Sequence, residues 1–353
     1  MGRAALESIA QGGIGTSIDP LTRDTPDVYA GALKAIGPAW FRRRIVGIIP
    51  HKGLQKMKDV VDTATRKSVE IYEAKNQQGE EETSRQVAEG KDILNILMRA
   101  NMAASKDDKL SEDELTAQMT CETLWLILPS YRIFLFAATD TTSNSMVRIF
   151  ERLAQNEGIQ SRLRTEVIKA QSAGRLSYDD LMRLPILDAV IRETLRVDPL
   201  ANMVTRQPTK DVILPLSEPI QGTDGTLINE IPIARGTPII IGALGSNKNK
   251  ALWGEDALEW KPERWLSPLP SAVTEASIPG VYSNLMTFLA GSRACIGFKF
   301  SELEMKVILA VMLSTFKFEL TDKPVVWNVA SVRYPTVGTE STYAEMPMKV
   351  SLL

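Results

Sequence analysis

Apolar residues recurring at steps of three and four mark the first part of the chain as helical, and this periodicity limits the fold more than any other feature. Within residues 50 to 196 it runs through Leu54, Met57, Val61, Ala64, Ser68 and Ile71, and again through Ile159, Leu163, Val167 and Ala170, the spacing that lines up one face of a helix. Polar breaks at 76–82 and 105–108 predict surface loops, and Ser111-x-x-Glu114 predicts a capping box opening the next helix. After Pro199 the pattern changes. Ten of the 19 prolines lie between Pro199 and Pro279, around β-rich stretches such as Pro238-Ile239-Ile240-Ile241, so loops and strands are expected there. A later helix is predicted with Phe300, Leu303, Val307, Val311 and Ser314 on one face, and the alternation of Met346, Met348, Val350 and Leu352 predicts an edge strand or hairpin. No repeat and no linker divides the chain, which predicts one mainly α (α+β) domain over 1–353.

Composition then narrows the chemistry. The 353 residues are 44% hydrophobic and 24% charged with a net charge of -2, a globular balance with no basic footprint for nucleic acid. One histidine, His51, and two cysteines, Cys121 and Cys295, exclude two-histidine metal sites, zinc fingers, four-cysteine clusters and a disulfide framework. His51 lies in Ile49-Pro50-His51-Lys52-Gly53 with no nucleophile motif near it, and reads as an exposed loop or helix-start residue. Any redox cofactor must bring its own donors and take only one from the protein. Met1 to Glu7 lacks the apolar core of a signal peptide, position 6 is Leu, and Pro129 and Arg132 interrupt the apolar window Leu124 to Ala138. The sequence as given is expected to carry no membrane anchor.

The strongest local signal is Phe288-Leu289-Ala290-Gly291-Ser292-Arg293-Ala294-Cys295-Ile296-Gly297, just before the predicted late helix. A cysteine at a helix N-terminus is held as thiolate by the unpaired N–H groups and the positive end of the dipole, and thiolate is a soft ligand for iron. Gly291 and Gly297 permit a tight turn and the close approach of something flat. Arg293 is placed to pair with an anionic group of the same ligand. The bland reading is an inert loop cysteine. Against it, Phe-x-x-Gly-x-Arg-x-Cys-x-Gly resembles the heme-binding loop of the cytochrome P-450 superfamily. That resemblance implies that Cys295 is the proximal thiolate ligand of heme iron, that Phe288 shields the sulfur, and that Arg293 contacts a propionate.

Two further segments agree. Glu193-x-x-Arg196 places an ion pair on one helix face, which alone means little. Pro262-Glu263-Arg264-Trp265, 33 residues before Cys295, is similar to the family's Pro-Glu-Arg-Phe segment with Trp for Phe, and the resemblance makes Glu193, Arg196 and Arg264 a buried triad that locks the loop behind the heme. In Phe136-Ala137-Ala138-Thr139-Asp140-Thr141-Thr142-Ser143 the spacing lets the Thr141 hydroxyl bond to the Ala137 carbonyl and loosen a helix there. The segment taken alone favours Thr139 or Asp140 as the N-cap of a helix running to Ala154. Its resemblance to the family's distal-helix motif Ala/Gly-Gly-x-Asp/Glu-Thr-Thr instead makes Asp140 and Thr141 the proton relay to dioxygen. Ala138 stands where that motif has Gly. Arg206, ten residues after Arg196, falls where the family often puts another propionate-binding arginine.

The matching order covers about residues 90 to 353. Ahead of it, Ala4 to Leu21 resembles the middle of a family member, so the chain is expected to lack the N-terminal third, with its anchor, its first strands and a helix of propionate ligands. Residues 121–132 read as an atypical insertion whose Pro129 would break the distal helix. The resemblance is to fungal heme-thiolate monooxygenases of secondary metabolism. It implies heme b (iron protoporphyrin IX), an NADPH-cytochrome P-450 reductase, dioxygen, a small apolar organic substrate and the cytoplasmic face of the endoplasmic reticulum. Lys299 and Lys306 are expected on a basic face that docks the reductase. Phe134, Ala137, Ala138, Asn202, Met203, Val204, Val337, Gly338 and Thr339 are expected substrate contacts. One alternative is a truncated, non-catalytic fragment unable to hold heme. Another is a family member that isomerises or dehydrates without a reductase, which would not need Asp140 and Thr141.

Overall fold

The structure is a computed structural model that describes residues 2–9, 11 and 133–353 except 173, 331 and 342. The expected helix through Leu54 to Ile71, the loops at 76–82 and 105–108, the box at Ser111, His51, Cys121, the 121–132 segment and the side chain of Phe134 lie outside these residues. The chain forms two compact units, residues 1–191 with 296–353 and residues 192–295.

In the first unit α1 (Gly2–Ile9) packs on α2 (Ile133–Gln155), followed by α3 (Glu157–Gln171), α4 (Tyr178–Met182), the first half of α5 (Pro185–Val197) and, late in the chain, α9 (Phe298–Thr315). Thr139 and Asp140 lie inside α2, so neither caps it; the cap reading fails because the helix begins before them. Met146, Ile149, Phe150 and Leu153 of α2, Leu163 and Val167 of α3, and Met305, Leu309 and Leu313 of α9 form the core. Each fully buried side chain of this size contributes about 1.5–3 kcal/mol. Gln160 of α3 is the polar tie. It donates to the Phe318 carbonyl at 2.9 Å and accepts from the Phe318 N–H at 3.0 Å, joining α3 to β5 (Phe316–Leu320). Glu166 accepts the N–H groups of Ile186 and Leu187 at 2.8 and 2.9 Å, so a carboxylate from one helix satisfies the positive start of α5.

The expected face of α9 is corrected. Val307 and Val311 are 40% and 56% exposed, while Glu302, Met305, Lys306, Leu309 and Leu313 point inward. The helix is apolar nearly all round, so periodicity could not choose between its faces. Lys306 is corrected with it. It is 1% exposed and lies 2.8 Å from Asp188 and 3.4 Å from Glu302, paired within the fold and not available to a docking surface. Its polarity predicted solvent, but two carboxylates offset its burial. The C-terminal alternation emerges as β8 (Met348–Leu352), antiparallel to β5, and β6 (Val325–Val329) pairs with β7 (Arg333–Val337).

Glu304 lies on the inner side of α9, 5% exposed. Burial pushes its carboxyl up to about 8, against a weaker opposing pull from the Ser8 hydroxyl. The folded state therefore binds this proton more tightly than the unfolded chain does. Stability falls as pH rises from the ordinary glutamate value of 4.5 through about 8, and the loss is complete above that. Glu304→Gln is expected to flatten this slope and to stabilise the chain at alkaline pH by up to about 4–5 kcal/mol. Thermal melts at several pH values check it; an unchanged slope would mean that Glu304 is solvated.

The second unit begins with the C-terminal half of α5. Two antiparallel pairs follow, β1 (Val204–Arg206) with β4 (Ile239–Ile241), and the hairpin β2 (Val212–Gln221) with β3 (Leu227–Ile233). Short helices α6 (Ala243–Asn247), α7 (Lys250–Trp253) and α8 (Ser271–Glu275) and a 3-10 turn over Pro262–Leu266 complete it. The prolines of this region keep its elements short, because each removes a backbone donor.

Candidate cofactor site

Around Cys295 the chain forms a closed loop. The Cys295 N–H donates to the Phe288 carbonyl at 2.8 Å and the Ala294 N–H to the Gly291 carbonyl at 3.0 Å, around a 3-10 turn over Gly291–Arg293. Gly291 turns the chain at φ 64°, a conformation that strains any residue with a Cβ. Phe288 is held by Tyr282, ring edge to face at 5.3 Å. Behind it stand two residues the sequence did not single out. Buried Asn247 donates to the Thr287 hydroxyl at 2.8 Å and accepts the Met286 N–H at 2.8 Å, while Thr287 donates to the Leu195 carbonyl at 2.8 Å. An asparagine and a threonine far apart in sequence carry no motif, so only the fold reveals this brace. Gly280 is required on the same side, because a Cβ there would lie 1.9 Å from the Leu285 carbonyl oxygen.

The Cys295 thiol is exposed and in no disulfide, and the next side chain along the chain, Ile296, is 86% exposed. A Cβ at Gly291 or Gly297 would meet nothing within 4 Å among the described residues. One exposed soft donor in a tight turn fits a flat macrocycle that supplies its own remaining donors, and Arg293 at the surface of the turn supplies a cation for an acidic substituent. Gly297 is the N-cap of α9, two residues after the thiol. Arg206 ends β1 half-buried, its guanidinium donating to the Thr205 carbonyl at 2.9 Å.

The residues of the expected triad meet. Glu193 and Arg196 are both fully buried and form a bidentate pair at 2.8 Å for each bond. Arg196 spends its other N–H groups on the carbonyls of Asn247, Ala257 and Glu259 at 3.0, 2.6 and 3.0 Å and lies over the Trp253 ring at 5.0 Å. Arg264 approaches Glu193 only to 3.6 Å and pairs more closely with Asp256 at 2.9 Å. Asp256 is thus a fourth member that the sequence did not announce. Arg264 and Lys261 hydrogen-bond its carboxyl and hold it below its ordinary value. Glu193 also accepts the Lys261 N–H and the Trp265 indole N–H, both at 2.9 Å. The Trp that replaces Phe in this segment therefore adds a donor to the buried carboxylate.

In α2 the Thr141 hydroxyl donates to the Ala137 carbonyl at 2.5 Å, the bond its spacing predicts. Asn144 and Ser143 donate to the Asp140 carbonyl at 2.9 and 3.4 Å. Three side chains thus compete for two backbone acceptors three residues apart, which weakens the helix's own ladder at that point.

A family model for cytochrome P450 matches residues 32–330. Cytochrome P450 monooxygenase 81 of Postia placenta is 52% identical over 375 residues, covering 100% of this chain and 66% of the relative. Cytochrome P450 monooxygenase 219 of the same fungus is 53% identical over 375 residues, with 99% and 66% covered. A ganoderic acid synthetase of Ganoderma lucidum is 43% identical over 382 residues, with 100% and 68% covered. The chain therefore spans about two thirds of the length of the curated relatives it matches.

Proposed function

The chain belongs to the cytochrome P450 family, and on that premise we propose that it is the heme-thiolate part of a fungal monooxygenase that inserts one atom of dioxygen into an apolar organic substrate with electrons from an NADPH reductase. The observation that carries this reading is the Cys295 loop: an exposed thiol in a 3-10 turn whose backbone closes onto Phe288 and Gly291. Heme b, held by Cys295 with Arg293 and Arg206 as propionate partners, would supply the activation of dioxygen. Every other contribution is the chain's own. Phe288 covers the sulfur, and Gly291 and Gly297 leave room for the ring. Asp140 holds a proton that Thr141 passes on, and the Thr141 hydroxyl, returned to Ala137, keeps that group in a loosened turn of α2. Glu193, Arg196 and Arg264, with Asp256, brace the polypeptide from which the Cys295 loop extends. The endoplasmic reticulum surface as its location follows from the family resemblance.

Supplied with heme, reductase, NADPH and labelled dioxygen, the chain is expected to place one labelled atom in an apolar product and the other in water. Asp140→Asn and Thr141→Ala are expected to cut product per NADPH consumed by about 10²-fold or more, with hydrogen peroxide formed in its place. Unchanged coupling in both variants would remove Asp140 and Thr141 from proton delivery.

A further inference from the structure

Thr142 of α2 and Ser301 of α9, 159 residues apart, share a hydrogen bond of 3.0 Å between their hydroxyls. Thr142 is 1% exposed and Ser301 half-buried. Thr142 directly follows Asp140 and Thr141. Ser301 lies in the first turn of α9, and its N–H donates at 2.9 Å to Gly297, the N-cap two residues beyond Cys295. One turn earlier on α2, Thr139 is also buried, yet its hydroxyl has no partner among the described residues. The pairing at 142 is therefore specific and not a property of the whole helix seam.

A neutral hydroxyl pair adds little to stability, but it is directional, and losing one partner strands the other in an apolar interior. It sits where α2 is least able to fix its own geometry, since Thr141, Ser143 and Asn144 draw on the carbonyls of Ala137 and Asp140. Packing of apolar side chains alone tolerates small slides of one helix on another. An external tie at this turn removes that freedom.

We propose that the Thr142–Ser301 bond is a positioning contact for the oxygenase reaction, fixing the first turn of α9, whose N-cap Gly297 follows Cys295 by two residues in the chain, in register with the turn of α2 that carries Asp140 and Thr141. The inference rests on the heme-thiolate reading above. Its test uses Thr142→Val, Ser301→Ala, the double variant, and the exchanged pair Thr142→Ser with Ser301→Thr, which keeps both hydroxyls. Two readouts are taken: amide exchange across the first turn of α9 in the chain as purified, and the carbonyl band of the reduced, heme-loaded chain. Each single variant is expected to speed exchange about two- to tenfold and to convert part of the red-shifted carbonyl band into the unshifted form. The double variant is expected to be no worse than either single variant, and the exchanged pair to restore both readouts. Additive effects, failure of the exchanged pair to restore, or faster exchange with an unaltered band would each overturn the positioning role. A wild-type chain with no red-shifted band would instead overturn the heme-thiolate reading, and the register claim would then be decided by exchange alone.

Discussion

Glu193→Gln is expected to unfold the second unit at denaturant concentrations where the parent chain stays folded. The substitution keeps the volume and removes the charge, so fully buried Arg196 loses its bidentate partner and Arg264 loses its inner one. Breaking a buried pair by removing one member typically costs about 3–5 kcal/mol, because the remaining charge is stranded, a large share of the about 5–15 kcal/mol by which domains are stable. The reporters are built in. Trp265 donates to Glu193, Trp253 lies against Arg196, and Trp260 donates to Thr194 at 2.9 Å, so indole fluorescence follows this region directly. Asp256→Asn should cost clearly less. Its side chain is 30% exposed, and Arg264 keeps the carbonyls of Trp253 and Asp256. Equal losses in the two variants would show that the buried network does not centre on Glu193.

Cys295→Ser is expected to have the largest functional effect. A serine hydroxyl has nearly the same shape and preserves the loop's backbone bonds to Phe288 and Gly291, so the fold should survive. It cannot present a thiolate to iron at neutral pH. Heme affinity should fall by more than the about 10- to 100-fold that the loss of a second-shell partner costs, and oxygen insertion should cease. A variant that folds, binds heme as tightly as the parent and turns over would eliminate Cys295 as the ligand.

The sequence made the site easier to read than the fold. The Cys295 loop is legible because its chemistry needs fixed residue types at fixed spacing within ten positions, and the Thr141 bond to Ala137 because helical geometry dictates it. Glu193 and Arg196 are legible by spacing, and Arg264 by its segment. Asp256, Asn247 and Thr287 are not, because each works through partners brought together by tertiary folding. The inner face of α9 is hidden from the sequence for a related reason. A helix apolar on every side carries no phase, and its inner face includes Lys306 and Glu304, residues whose polarity predicts solvent. Lys306 is inside because Asp188 and Glu302 meet it, a fact encoded more than a hundred residues apart.

Whether Cys295 makes this chain a heme-thiolate protein is decided by the absorption spectrum of the reduced, heme-loaded chain under carbon monoxide. The red-shifted band of a thiolate-ligated carbonyl complex is expected in the parent and is expected to be missing in Cys295→Ser. An unshifted band, or one identical in the two proteins, would contradict that role of Cys295.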